Sequence, residues 1–179
     1  GVVETELAGR GWTHWLKVPY ITYLDTEMSS SANEKQIWDA LYARIGNPYG
    51  VAGLMGNLYA ESALRPDNLQ GSFEDALGHS DASYTQAVDS GAYTGFATDS
   101  AGYGLAQWTA SDRKESLLAY AKEQGKSIGD LDMQLDFLYH ELETKFPDVL
   151  AQLKNATSVR AASDSVLLHF EMPKDQSAS

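Results

Sequence analysis

The chain contains several stretches in which apolar residues recur with the period of an α-helix, and one long polar stretch between them. The first helical stretch has apolar and aromatic residues at i, i+4 and i+8 and ends in a glycine: Ile37, Trp38, Leu41, Tyr42, Ile45 and Gly46. The second has the i, i+3, i+4, i+7, i+8 pattern of an amphipathic helix: Val51, Leu54, Met55, Leu58 and Tyr59. Pro66 disfavours helix in the residue before it, so the second helix is predicted to end around residues 61–64.

Four further helices are predicted after residue 110. They cover residues 111–125, 127–146, 147–154 and 158–173. A Ser127-x-x-Asp130 cap opens the second of these, and Pro147 takes the favoured first position of the third. The last is predicted to bury one face, which is formed by Val159, Ala162, Val166, Leu167 and Phe170.

The segment from Pro66 to Gly104 shows little sustained period, apart from a short helical pattern at residues 81–89. A loop of this length inside a compact domain is usually functional or disordered. Five aromatic residues argue against disorder: Phe73, Tyr84, Tyr93, Phe96 and Tyr103. The fold is therefore predicted to be α+β and mostly α, with any sheet small and confined to this segment and the N-terminus.

Residues 1–32 differ from the rest of the chain, because an aromatic and β-branched stretch runs into the polar sequence "TEMSSSAN". We expect them to form an N-terminal extension, or the remnant of a preceding domain or linker, with one or two short strands. Residues 33–177 are predicted to form the main globular domain.

Composition excludes several classes of function. The 25 acidic and 13 basic residues give a formal charge of −12, which repels nucleic acid and anionic membranes. No apolar run approaches the roughly 18 to 20 residues that span a bilayer. The chain has no cysteine, and its four histidines are too scattered for a metal site: His14, His79, His140 and His169. We therefore predict no metal, no cofactor, no nucleic-acid partner and no membrane partner.

Glu61 is the first residue whose position suggests chemistry. It follows Leu58 by three residues and Leu54 by seven, so it is expected to share their buried face at the C-terminal end of the helix. Burial and the negative end of the helix dipole would both raise its pKa, as a glycosidase needs for its proton donor. The alternative is a helix-end glutamate that reaches water or pairs with Arg65.

The sequence "SAGYGLAQWT" is the second such feature. Gly102 and Gly104 flank Tyr103, while Gln107 supplies an amide and Trp108 an aromatic face. Glycines let the backbone approach a ligand closely. Amides suit the hydroxyl and N-acetyl groups of sugars, and aromatic rings suit their apolar faces. The alternative is a glycine-rich turn that leads into a helix, with Trp108 in the core.

Together, the Glu-Ser pair and the Gly-Tyr-Gly-Leu-Ala-Gln element resemble the pattern of goose-type lysozymes and lytic transglycosylases. The resemblance to the phage tail lysozyme family is closer, and it rests on "GVAGLMGNLYAESALRPDNLQ", "DSAGYGLAQWTASDRKESLLAYAKEQGKSIGDLDMQLDFLYHEL" and "VLLHFEMPKDQS". It covers residues 33–177. It implies a lysozyme-like fold in which a catalytic helix and a small β and loop region form a glycan cleft.

By this resemblance Glu61 matches the general acid, and Tyr103 and Gln107 match residues that line the sugar groove. Asn57 and Trp108 are expected to be their neighbours. Ala106 departs from the Met of the goose-type relatives, so their subsite details do not carry over.

The second carboxylate is not fixed by these motifs. We rank Asp99 first, because goose-type lysozymes keep an acidic residue just before the glycine element. Asp75 and Asp81 are held in reserve.

The expected function is a glycoside hydrolase that cleaves the β-1,4-linked N-acetylmuramic acid and N-acetylglucosamine chain of peptidoglycan, with muramidase activity favoured. The alternatives are a lytic transglycosylase, a non-catalytic peptidoglycan-binding module and a helical interaction domain. The expected setting is extracellular, at the cell wall or in a phage tail. We expect a monomeric domain of a larger polypeptide.

Overall fold

A computed structural model describes residues 32–170 of the 179-residue chain. This part contains eight α-helices: α1 Ala32–Ile45, α2 Pro48–Ser62, α3 Gly71–Leu77, α4 Asp81–Ser90, α5 Ser111–Gln124, α6 Leu131–Thr144, α7 Pro147–Lys154 and α8 Val159–His169. None of them is long and apolar enough to cross a membrane. The short strands expected in residues 1–32 fall outside the described residues, which begin at Ala32.

Every described helix except α3 coincides with a stretch predicted to be helical. The pattern misses α3 because this helix has only seven residues and none of them is buried. α6 begins later than predicted, because Asp130 Oδ1 accepts the Met133 N–H at 2.9 Å and so caps the helix in place of Ser127. In α8, Leu167 is 42% exposed rather than buried, since it lies about 100° around the helix from Val166.

The chain divides into two compact units. The first unit comprises Gly1–Ala60 and Tyr139–Ser179, of which residues 32–60 and 139–170 are described. The second unit is Glu61–Leu138. The boundaries fall within α2, between Ala60 and Glu61, and within α6.

In the first unit, α2 is buried on all sides from Gly50 to Leu58. Two of its glycines allow neighbouring helices to lie unusually close. A Cβ at Gly50 would be 2.1 Å from the Leu153 carbonyl oxygen of α7, and one at Gly53 would be 2.6 Å from the Ala162 Cβ of α8. The sequence of α2 therefore fixes how tightly α7 and α8 pack against it.

The second unit combines helices with irregular chain. The described residues of this unit hold only two isolated antiparallel bridges, Leu69 with Tyr103 and Tyr103 with Trp108, which agrees with the predicted mostly α fold in which any sheet is small. The ladder stops because the Gly102 N–H is bound by the side-chain Oε1 of Gln70, at 3.0 Å, instead of by a backbone carbonyl. The aromatic residues form the core of this region, with Tyr84, Phe96 and Tyr103 almost completely buried.

Candidate active site

Glu61 lies in the last turn of α2, as predicted, but it is exposed. The expectation that it would be partly buried is wrong. Helical spacing predicts which face of a helix a residue lies on, but it does not predict how far along the helix that face stays buried. α2 leaves the core after Leu58, so Tyr59, Ala60 and Glu61 are all exposed.

The chain just after Glu61 is held firmly. The Ser62 hydroxyl donates to the Leu105 carbonyl at 2.8 Å, and the Ser62 carbonyl accepts from the Asn68 side chain at 3.0 Å. Ala63 and Leu64 both have positive φ, at 52° and 61°. Left-handed conformations cost non-glycine residues on the order of 1 kcal/mol and cluster at functional sites. The Ser62 bond joins the Glu-Ser motif directly to the Gly-Tyr-Gly-Leu-Ala-Gln motif.

Arg65, the alternative partner considered for Glu61, pairs with other carboxylates. Its guanidinium forms an ion pair with Asp81 Oδ2 and lies 3.6 Å from Asp67 Oδ1. Asp81 Oδ1 in turn accepts the Leu69 N–H at 2.9 Å. Asp81 therefore anchors the chain that leaves α2 to the start of α4.

The glycine motif forms a tight hairpin. Tyr103 and Trp108 exchange backbone hydrogen bonds of 3.1 and 3.0 Å around the turn at residues 104–107. Gln107 closes the turn with a φ of 49°, and its side-chain amide donates to the carbonyls of Asn68 and Gly104 at 2.9 and 3.1 Å. A Cβ at Gly102 would lie 2.8 Å from the Gln107 Oε1. The space over Gly102 is thus occupied by the protein's own side chains.

Three of the predicted sugar-binding residues are buried and bonded within the protein. Tyr103 and Trp108 are 0% exposed and Asn57 is 4% exposed. The Tyr103 hydroxyl lies 2.6 Å from Thr85 Oγ1, and Trp108 packs edge-on against Phe137. The Asn57 amide lies 3.0 to 3.1 Å from the Gly53 carbonyl and from both side-chain and backbone oxygens of Ser163. This geometry favours structural roles over contact with a glycan. For Trp108 it agrees with the alternative interpretation, in which this side chain lies in the core.

Asp99, ranked first as the second carboxylate, also has both carboxylate oxygens engaged in hydrogen bonds within the protein. Its Oδ1 accepts from Lys114 Nζ at 2.7 Å and from the Ala101 N–H at 2.9 Å. Its Oδ2 accepts from the hydroxyls of Tyr84 and Tyr93 at 2.6 and 2.9 Å. The Asp99 side chain is 4% exposed, and that of Lys114 is 0% exposed.

The electrostatics of Asp99 follow from these contacts. Burial alone would raise its pKa, but the hydrogen bonds from Lys114, Tyr84 and the Ala101 N–H outweigh burial and lower it. Burial, and then the hydrogen bond to Asp99, raise the pKa of Tyr93 to about 12. Asp99 is therefore an ionised structural carboxylate with both oxygens occupied, an arrangement that disfavours its predicted role in orienting a water.

A protein-family model described as phage tail lysozyme matches residues 32–179. The chain belongs to the phage tail lysozyme family. No curated protein and no solved structure matches it. Membership confirms the resemblance stated above, assigns the mostly helical architecture to the lysozyme-like class and indicates lysozyme-like activity on peptidoglycan.

In this phage tail lysozyme domain, the remaining carboxylates differ in access. Asp75 is exposed on α3, whereas the Asp81 side chain is 17% exposed and occupied as described. Asp67 was not predicted, yet its side chain is 43% exposed and lines an open groove of about 600 Å³. The groove is lined by Asp67, Ala82, Thr85, Gln86, Asp89 and Ser90. Within residues 32–170, no three His, Asp or Glu side chains are grouped to hold a metal.

Sequence reasoning also missed two buried polar residues that organise this lysozyme domain, Lys114 and Gln134, both 0% exposed. A signal for each existed. Lys114 shares a helix face with the apolar Leu117 and Ala121, and Gln134 shares one with the apolar Phe137 and Leu138. A polar residue on an apolar helix face is retained when it has buried partners.

Proposed function

We propose that this domain cleaves the β-1,4-linked N-acetylmuramic acid and N-acetylglucosamine chain of peptidoglycan, with Glu61 as the general acid. The observation that carries the proposal is the setting of Glu61. Glu61 is exposed, while its neighbour Ser62 is bound to the Leu105 carbonyl at 2.8 Å. An exposed acidic residue on a fixed backbone suits proton donation to a bound polymer.

In the proposed reaction, the Glu61 carboxyl group gives its proton to the glycosidic oxygen. The bond from the anomeric carbon of the muramic acid to that oxygen breaks, and the sugar develops oxocarbenium character. In a hydrolase, water then adds to the anomeric carbon and gives up a proton to a base. We propose this hydrolytic, muramidase outcome as the main activity.

The second candidate is lytic transglycosylase activity, in which a hydroxyl of the same muramic acid adds instead of water, gives its proton to the Glu61 carboxylate and closes an anhydro ring. One observation favours it: the carboxylates of Asp99 and Asp81 are committed to ion pairs and backbone N–H groups. If no other carboxylate activates water, Glu61 acts alone.

For hydrolysis, we propose Asp67 and Asp75, which are more exposed than Asp81 and Asp99; Asp67 lies 3.6 Å from Arg65, but its side chain is 43% exposed. Asp67 is the stronger candidate, because it follows Glu61 closely in the chain and lines the groove with an amide and hydroxyl groups from α4. Such groups suit sugar hydroxyls. We propose that this groove, rather than the buried Tyr103 and Trp108, binds glycan in the second unit.

We further propose that the domain acts outside the cell or at the cell wall, or in a phage tail, as a monomeric part of a longer polypeptide. The substrate of the proposed reaction sets this location, because peptidoglycan lies outside the cytoplasmic membrane.

The test of the acid is Glu61→Gln, which preserves shape but has no proton to transfer. We expect cleavage of purified peptidoglycan to fall by about 100- to 10,000-fold, with unchanged thermal stability and unchanged binding to insoluble peptidoglycan. Glu123→Gln is the matched control, since Glu123 is likewise an exposed glutamate in the last turn of a helix, α5. Wild-type rates in Glu61→Gln would remove Glu61 from its role, and wild-type protein that binds without cleaving would indicate a binding module.

A further inference from the structure

Gln134 of α6 makes three hydrogen bonds inside the second unit. Its Oε1 accepts the Leu105 N–H at 2.9 Å. Its Nε2 donates to the Pro66 carbonyl at 2.6 Å and to the Ile128 carbonyl at 2.7 Å. The side chain is 0% exposed, so both amide hydrogens and the amide oxygen are used within the protein.

Two of these partners belong to the motifs of the candidate site. Leu105 lies in the Gly-Tyr-Gly-Leu-Ala-Gln element, and its carbonyl is the acceptor for Ser62 at 2.8 Å. Its N–H and C=O are therefore held by Gln134 and Ser62 respectively. Pro66 lies four residues after Ser62, so the chain itself closes a ring through Ser62, Leu105, Gln134 and Pro66.

We propose that Gln134 is a positioning residue for Glu61: it closes a buried hydrogen-bond ring that fixes the end of α2. This inference rests on the proposed role of Glu61. The ring is directly adjacent to Glu61, because Ser62 is both a ring member and the next residue in the chain. If the ring is broken, the backbone at Ser62 and therefore at Glu61 is less firmly held. This effect requires no contact between Gln134 and the substrate.

The surrounding chain is shaped to admit the Gln134 amide. Gly104 has a φ of 82°, and a Cβ at this position would lie 2.9 Å from the Gln134 Oε1. Glycine therefore serves two needs at residue 104, a left-handed turn and space for the amide. Ala63 and Leu64, which also have positive φ, lie between Ser62 and Pro66, so the ring spans the strained part of the chain.

The first test compares kcat and KM on soluble peptidoglycan fragments for wild type, Gln134→Met and Leu117→Ala. Gln134→Met keeps volume but removes all three hydrogen bonds, and we expect kcat to fall by about 10- to 100-fold with KM little changed, as for a misplaced catalytic group. Leu117→Ala destabilises the same unit at a fully buried position outside the ring and should retain wild-type kcat below its melting temperature. Wild-type kcat in Gln134→Met, or an equal loss in Leu117→Ala, overturns the inference.

Rescue separates positioning from general stability. In Gln134→Glu, the introduced carboxyl group, when protonated, can accept from the Leu105 N–H and donate to one carbonyl. Burial favours this neutral form, and acid populates it further, so the kcat of Gln134→Glu relative to wild type should rise as pH falls. A ratio that stays as low as that of Gln134→Met at every pH counts against the ring.

Hydrogen exchange tests the ring without any activity. The Leu105 amide should exchange faster in Gln134→Met than in wild type, while its exchange in Leu117→Ala should stay slow at temperatures where that variant is folded. If wild type proves inactive on peptidoglycan, the proposed function fails, but slow Leu105 exchange that depends on Gln134 still establishes the ring. Unchanged Leu105 exchange in Gln134→Met overturns it.

Discussion

At the scale of single residues, the Asp99 carboxylate is held by four donors inside the second unit, and its counter-charge Lys114 is fully buried. Lys114 Nζ also donates to the Ala101 carbonyl at 2.7 Å and lies 4.4 Å from the centre of the Phe96 ring. Because Ala101 begins the chain that leads into the hairpin, this buried pair stabilises the start of the glycine motif.

We expect Asp99→Asn to lower the free energy of unfolding by about 3–5 kcal/mol, because it leaves the Lys114 charge buried without a counter-charge. The double variant Asp99→Asn with Lys114→Met should lose less than the sum of the single losses. Urea denaturation at neutral pH measures all three variants. Additive losses would contradict a coupled pair.

The contribution of this pair to the free energy of unfolding depends on pH, and the sign of that dependence follows from the lowered pKa of Asp99. Its contribution is fully present above the unfolded value of about 3.9 and is lost as pH falls through the lower folded value. The stability gap between wild type and Asp99→Asn should therefore be constant from pH 7 to about 5 and narrow below about 4. A gap that stays constant to pH 2 would show that Asp99 keeps an ordinary pKa.

The limits of the sequence are clearest at this scale. The position of Glu61 at a helix end was predictable, because apolar spacing and Pro66 fix where α2 stops. The burial of Tyr103 and Asp99 was not, because it depends on Thr85, Lys114 and Tyr84, which approach from other helices. A motif supplies residue types and spacing, but depth below the surface is set by distant contacts.

At the scale of elements, α2 shows how glycines control helix packing. We expect Gly50→Ala to destabilise the first unit by about 1–3 kcal/mol, since the new Cβ would overlap the Leu153 carbonyl unless α7 shifts. Gly71→Ala is the matched control, because nothing lies within 4 Å of a Cβ at that helical position and its φ is not positive. It should stabilise the protein by about 0.4–1 kcal/mol. Thermal unfolding that moves in the same direction for both variants would contradict this account.

The helices were the most predictable elements, because the helical spacing of apolar residues over several turns can be read from the sequence without knowledge of the tertiary contacts. α3 and the bridges at Leu69, Tyr103 and Trp108 were not predictable, since they depend on short-range caps and on the Gln70 side chain. The irregular chain between α4 and α5 is ordered by its aromatic cluster: Tyr84 lies 5.5 Å from the ring centres of both Tyr93 and Tyr103.

At the scale of the whole molecule, the reaction that the domain catalyses depends on whether a second carboxylate works with Glu61. Only carboxylates with an accessible oxygen can hold a water in place, which favours Asp67 and Asp75 over Asp81 and Asp99. An inverting hydrolase leaves about 6.5–9.5 Å between its carboxyl groups for that water.

We therefore expect Asp67→Asn, and to a smaller extent Asp75→Asn, to reduce hydrolysis without loss of stability. Folded Asp99→Asn should keep its activity. Mass spectrometry of borohydride-reduced products identifies the reaction: muramitol ends indicate a muramidase, glucosaminitol ends a glucosaminidase, and anhydromuramic ends a transglycosylase. Early-time NMR of the hydrolytic product should show an inverted anomeric centre. If anhydromuramic ends dominate and neither Asp67→Asn nor Asp75→Asn slows cleavage, Glu61 is the only essential carboxylate and the domain is a transglycosylase.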